Sequence, residues 1–143
     1  MFDLAHYRQY RAWIFDLDGT LSNTLRAHDL AWQHALDHFA IPYTAERMQQ
    51  LGGVPIPDTV EILAREACMT VDVKAVVTLR DARFYQLLPS TLSATPLVAG
   101  VVEPHLGQRP MAVGTGCYTD MARHYGTAVL PAPSPTRVTA RES

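Results

Sequence analysis

A chain of 143 residues is long enough to bury one core, or one core with a small insert. Apolar residues at 48% exclude an intrinsically disordered chain, and a net charge of −2 leaves no electrostatic footprint for nucleic acid or an anionic membrane surface. No apolar run reaches membrane-span length, the first eleven residues lack the apolar stretch of a signal peptide, and the distant cysteines Cys68 and Cys117 fit a reduced, cytoplasmic protein.

The first element is a short apolar run, Ala12 to Phe15, which has the length and bulk of a buried strand and ends in Asp16. Gly19 then breaks the pattern. From Thr24 to Phe39 the apolar residues Leu25, Ala31, Trp32, Ala35, Leu36 and Phe39 recur at helical spacing, and Pro42 closes the segment. Thr44 with Arg47 and Met48 starts a short helix that Gly52 and Gly53 end. Asp58 can cap a helix to about Ala67, and Asp72 to Leu88 reads as another, stopped by Pro89. Pro96 to Leu106 reads as a helix ended by Gly107. A second apolar strand, Arg109 to Thr115, leads through Gly114-Thr115-Gly116 into a helix beginning near Tyr118. After Gly126 the alternating Pro131, Pro133 and Pro135 carry no apolar period, so 127–143 is expected to be irregular or disordered.

Chemistry concentrates at the two strand ends. Asp16 and Asp18 are two carboxylates on one extended segment, which repel each other and are costly to bury without a cation. A loop Asp pair can also serve only as a turn or cap. Thr115 with the N–H of Gly116 can form a phosphate cradle or, equally, cap a helix. Cys117 reads as a small semi-buried residue, and His34 with His38 as a solvated helix face lacking a third metal ligand.

The run Trp13-Ile14-Phe15-Asp16-Leu17-Asp18-Gly19-Thr20-Leu21 resembles the signature of the haloacid dehalogenase superfamily. The resemblance implies an α/β fold: an incomplete Rossmann-like parallel sheet core (1–23 and 89–126) with an inserted helical cap (24–88). It implies that Asp16 attacks phosphorus to form an aspartyl phosphate and that Asp18 protonates the leaving oxygen. It further implies Mg2+ bound through Asp16 and Asp18, and phosphoryl oxygens held by Thr115 and Gly116. Thr24, His28, Trp32 and Gly52-Gly53-Val54-Pro55 look like the beta-phosphoglucomutase and fructose-1-phosphate phosphatase subgroup. In that subgroup a His twelve residues after the first Asp reaches toward the catalytic acid. A histidine at the helix surface near the hinge is the other reading of His28. His28 and Gly53 are thus the cap residues expected near substrate.

The sequence departs from the pattern in three places. Mutases of the subgroup carry a basic residue soon after the cap glycines, whereas Val54-Pro55-Ile56-Pro57-Asp58 has none, which favours a phosphatase. The third motif requires a Lys, and the single lysine is Lys74, within the helical insert. The fourth requires an acidic pair, and after Asp120 the one acid is Glu142. The change of character near Tyr125 points to a shifted reading frame or a truncated gene, which reading the other two frames beyond residue 118 would test. The expected activity is Mg2+-dependent hydrolysis of a small sugar phosphate, weak or absent in this chain. A non-catalytic fragment that binds a partner, and a sugar-phosphate mutase, are the rival readings. The expected partner is a small phosphorylated metabolite, without nucleic acid or membrane, and an exposed sheet edge would favour self-association.

Overall fold

The computed structural model describes residues 4, 5, 7, 9–130 and 138–141. It divides into two compact units, Met1–Leu25 with Thr91–Ser143 and Arg26–Ser90. Among the described residues no helix is long and apolar enough to cross a membrane.

The first unit is an α/β core of the Rossmann-like type. Its strands β1 (Trp13–Phe15), β2 (Met111–Tyr118) and β3 (Val138–Arg141) form a parallel sheet in the order β1-β2-β3. Trp13 and Phe15 share one half-buried face of β1, while Ile14 points the other way and is 78% exposed, the alternation a strand imposes. Arg109 stacks on the Trp13 ring at 4.2 Å and donates from Nη1 to the Tyr10 carbonyl at 3.1 Å. Several expectations for this unit need correction. The segment 96–106 is helical, but its centre, Val98–Val102, is a π-helical turn in which Glu103 N–H donates to Val98 C=O. This geometry buries Val98, Val101 and Val102 together. Strand β2 runs past the expected end at Thr115, through Gly116 to Tyr118, and helix α6 (Thr119–Val129) begins next to the expected start. The tail also differs: α6 extends to Val129, and Val138–Arg141 is a strand against β2, because a parallel neighbour supplies the ladder that no internal periodicity announced. The proline run 131–135 lies outside the described residues.

The second unit is helical: α1 (Leu25–His38, whose first residue belongs to the other unit), α2 (Ala45–Gln50), α3 (Ile56–Glu66) and α4 (Val73–Thr91, whose last residue does likewise). The short helix Glu103–His105 after the π turn is α5. Ala27, Ala31 and Ala35 form a buried stripe at four-residue spacing on α1, and Ala35 and Leu36 join Ile41, Leu51, Val60, Leu63 and Val76 in one core. Thr44 caps α2 by accepting from Arg47 N–H at 3.1 Å, and Asp72 Oδ1 accepts from Ala75 N–H at 3.1 Å at the start of α4. Asp58 is not the cap of α3. That helix starts at Ile56 after Pro55, with Pro57 in the first turn, where a missing N–H loses nothing. Nor does Pro89 stop α4, which continues to Thr91: so near the end the ring forfeits a single helical bond.

Helices α1 and α3 end alike. Ala40 (φ 52) and Cys68 (φ 53) take the left-handed conformation, and the next residues donate back, Ile41 N–H to Leu36 C=O at 2.9 Å and Met69 N–H to Ala64 C=O at 2.8 Å. A left-handed L-residue costs roughly 1–2 kcal/mol, and glycine returns about half of that through its larger unfolded entropy. Ala40→Gly should therefore raise stability by about 0.5–1 kcal/mol in urea unfolding.

Arg47 joins α2 to α3 through Glu66, with Nε donating at 3.1 Å. The hydrogen bond from Arg47 holds the Glu66 carboxyl below its ordinary range, against a smaller opposing effect of desolvation. A lowered folded value means that the contribution is present above the ordinary carboxylate range and is lost as pH falls through the lowered value. Glu66→Gln should melt slightly below the unmodified chain at neutral pH, and the gap should close on acidification.

Candidate active site

Strand β1 ends at Phe15, so Asp16 stands immediately past its carboxyl end. Phe15 lies opposite Val113 of the parallel neighbour, and Thr115 is two residues beyond Val113. Thr115, within β2, therefore lies level with the carboxyl end of β1, the kind of edge at which open parallel sheets bind ligands.

The loop after Asp16 closes on itself. Leu17 C=O accepts from the N–H groups of Leu21 and Ser22 at 3.0 and 2.9 Å and from the Ser22 hydroxyl at 2.9 Å. Gly19 N–H donates to Ser22 C=O at 2.8 Å. Gly19 takes φ +73, a left-handed conformation that favours glycine, and a Cβ there would press on the exposed Leu25 side chain at 3.1 Å. Leu17 and Leu21 are fully buried, anchoring the loop from below. The segment 93–95 holds it from the side, with Asn23 N–H on Ser93 C=O at 2.8 Å and Thr95 N–H on Leu21 C=O at 2.9 Å.

These contacts give the two carboxylates different surroundings. Asp16 is exposed, and Thr20 donates its hydroxyl to Oδ2 at 3.2 Å. Asp18 is half-buried, and its Oδ1 accepts the hydroxyl of the fully buried Thr24 at 2.7 Å. An open carboxylate suits a nucleophile, and one held from behind suits a group that must point a proton in a fixed direction.

Thr115 and Gly116 were expected at a helix N-terminus and lie instead in a bulge of β2. Gly114 pairs with Thr139 and Tyr118 with Arg141, so four steps on β2 oppose two on β3. The three residues 115–117 thus face a single residue of β3, two more than a regular ladder would place there. Within the bulge Thr115 Oγ1 accepts from Cys117 N–H at 3.2 Å and donates to Cys117 Sγ at 3.2 Å. Gly116, exposed at the tip, has open space where a Cβ would sit.

His28 and Gly53 lie in the helical unit. Gly53 turns the chain after α2 with φ +85, and no atom approaches the position of a Cβ, so its requirement is conformational. His28 Nδ1 accepts from Arg80 Nη2, and its ring stacks on Phe84 at 4.3 Å. Arg80 is the one charged residue in the buried row of α4, in phase with Val76, Phe84 and Leu88 at four-residue spacing, a signal the sequence carries. Among the described residues no three His, Cys, Asp or Glu side chains converge as a metal site.

A family model described as haloacid dehalogenase-like hydrolase matches residues 13–97. The fructose-1-phosphate phosphatase YqaB of Escherichia coli K12 is 32% identical over 135 residues, covering 88% of this chain and 71% of that protein. The chain belongs to the haloacid dehalogenase-like hydrolase family. The beta-phosphoglucomutase of Bacillus subtilis is 32% identical over 95 residues, 64% of this chain and 42% of that protein. Two solved structures share the fold: a hydrolase from Pseudomonas syringae (TM-score 0.75, 23% identity, 92% of this chain and 62% of that one) and CbbY from Rhodobacter sphaeroides in complex with phosphate (TM-score 0.69, 17% identity, 93% and 63%). The chain thus spans 42–71% of the length of these four relatives. By its haloacid dehalogenase family and its phosphatase relative, it is a phosphatase-type enzyme by resemblance. The family match includes Asp16, Asp18, Thr24, His28, Gly53 and Arg80 and ends before β2.

Thr24→Val removes the hydroxyl behind Asp18 while keeping the side-chain volume. It should cost roughly 1.5–3 kcal/mol, as for a hydrogen bond to a charged group, with Thr24→Ser recovering most of the loss in denaturant titration.

Proposed function

We propose that this site is built to hydrolyse a small sugar phosphomonoester of the fructose 1-phosphate type. One observation carries the reading: an exposed carboxylate, Asp16, at the carboxyl end of β1, with Asp18 tethered two residues on and the β2 bulge on the neighbouring strand. Asp16 attacks phosphorus, the ester oxygen leaves with a proton from Asp18, and the enzyme holds an aspartyl phosphate. Asp18, now anionic, takes a proton from water as that water displaces Asp16, giving inorganic phosphate and the free sugar. The bulge offers the Gly116 backbone at its tip, where no side chain would hinder an approaching phosphoryl group.

The oxygen donors of Asp16 and Asp18 fit Mg2+, which commonly takes one or two carboxylates and completes its shell with water and phosphate. Bound there, Mg2+ would supply neutralising charge for the anionic nucleophile and the phosphate. The carboxylate of Asp16 and the backbone carbonyl of Asp18 would hold it, and so few protein ligands make for weak affinity. These 143 residues contain one lysine, Lys74, which lies on α4 of the helical unit, so turnover by the chain alone should be slow. The mutase reading is weaker: the stretch after Gly53 carries no cation and forms the start of α3.

A second reading, self-association without catalysis, draws on Ile14, 78% exposed on β1, the strand at one end of the described sheet order. Phosphate release from fructose 1-phosphate and from an aryl phosphate with Mg2+ tests the first reading. Slow release that Asp16→Asn abolishes is the expected result, and release that survives Asp16→Asn overturns it. A concentration-dependent dimer with no phosphate release would favour the second.

A further inference from the structure

We propose that two copies of the chain pair through the free edge of β1, about a two-fold axis at Ile14, and that each copy thereby lends Arg11 to the Asp16 carboxylate of the other. Strand β1 stands at one end of the described sheet order, with β2 on one side. Trp13 N–H donates across to Pro110 C=O at 3.1 Å. Successive residues of a strand address alternate sides, so Trp13 and Phe15 serve β2 while the backbone groups of Ala12, Ile14 and Asp16 are directed to the open edge. Ala12, Ile14 and Asp16 are also the exposed residues of this stretch, whereas Trp13 and Phe15 are half-buried and Leu17 is fully buried. A β-branched apolar side chain at 78% exposure beside an unpaired strand edge is what a pairing strand covers.

The charges around this edge select a second copy as its occupant. A two-fold axis perpendicular to the sheet uses both free edges at once and closes the assembly at two copies. Centred on Ile14, it makes the two isoleucines a hydrogen-bonded antiparallel pair with their side chains on one face. It also sets Ala12 of one copy opposite Asp16 of the other, and Arg11 opposite Leu17. The exposed Arg11 then stands one residue from an exposed carboxylate, with Asp18 one residue further on, and the symmetry makes the contact twice. Centring the axis on Phe15 would oppose Ile14 to Asp16, and centring it on Trp13 would oppose Asp16 to Tyr10. The Ile14 register matches apolar with apolar and cation with anion together. Its catalytic consequence rests on the function proposed above, whereas the pairing does not. A guanidinium beside Asp16 supplies positive charge to the phosphoryl group, and the chain's one lysine, Lys74, belongs to the helical unit.

Sedimentation velocity of the full chain reads the pairing without reference to activity. The expected result is a concentration-dependent dimer that Ile14→Lys converts to monomer. Arg11→Glu should weaken it roughly tenfold, as for two symmetry-related charge pairs reversed, and adding Asp16→Arg to Arg11→Glu should restore it. Cross-linking in a Cys68→Ser, Cys117→Ser background reads the register. Hydrogen-bonded antiparallel partners lie about 5.5 Å apart between Cα atoms, within disulfide reach. Ile14→Cys should therefore form a symmetric disulfide dimer, and Ala12→Cys should bond to Asp16→Cys in a mixture of the two chains and not to itself. A monomer at every concentration overturns the proposal, as does a dimer that Ile14→Lys leaves intact or in which Ala12→Cys bonds to itself. A dimer indifferent to Arg11→Glu overturns the role given to Arg11. Where phosphate is released, the rate per chain should rise as the dimer forms and fall in Arg11→Gln, and a rate that ignores both overturns the catalytic consequence. Failure to release phosphate would remove the sugar-phosphate reading and leave the sedimentation and cross-linking results as they are, so the two can fail separately.

Discussion

Two carboxylates two residues apart at the end of one strand repel each other, and the surrounding loop answers that constraint. It gives each anion its own hydroxyl, Thr20 for Asp16 and Thr24 for Asp18, from opposite ends of a turn that Gly19 makes sharp. The same turn drives Leu17 and Leu21 into the core, so the residues between and beyond the acids act as fixed points. Apolar burial beneath the loop thereby does electrostatic service: it stops the loop relaxing into a geometry in which both carboxylates simply turn to water. The result is an asymmetry between two chemically identical groups, one acid open to solvent and one half-buried and held by a buried hydroxyl.

The opposite wall obeys a different constraint. A regular parallel ladder uses every backbone N–H of its central strand, leaving none for a ligand. The register slip between Gly114 and Tyr118 takes 115–117 out of step with β3 just where β2 passes the end of β1. Thr115 then uses its hydroxyl to hold the bulge together through Cys117, which leaves Gly116 at the tip with no side chain in the way. In this geometry the Thr115 hydroxyl also shapes the backbone of the bulge.

The sequence made the strand-end acids legible because they combine a local pattern with a local consequence: an apolar run, a glycine and charges two apart. The helices of the second unit were legible for the same reason, their stripes being periodic over ten residues or more. The misses share a cause as well. A register slip depends on β3, distant in sequence, and nothing within Gly114-Thr115-Gly116 distinguishes a bulge from a turn into a helix. Ala40 and Cys68 carry no glycine to announce their left-handed conformation, which the buried Ile41 and the half-buried Met69 enforce by packing just after each helix end. Pro89 stops a helix in the middle and not within its last turn, and a rule without position cannot tell the two apart.

Arg80 is the most instructive of these, because a charge on a helix is by default read as outward-facing. Its four-residue phase with Val76, Phe84 and Leu88 contradicts that default and was available from the sequence. What the sequence could not supply was the partner, since His28 lies 52 residues away on another helix. A buried cation needs either a counter-charge or a ring face, and this one has Asp81 on one side with Trp32 and Phe84 around it. With its charge so accommodated, the guanidinium can direct a further N–H at an imidazole without demanding a second carboxylate in the core. That arrangement explains how the same cluster can contain three ionisable side chains, His28, Arg80 and Asp81, against the apolar core of the helical unit.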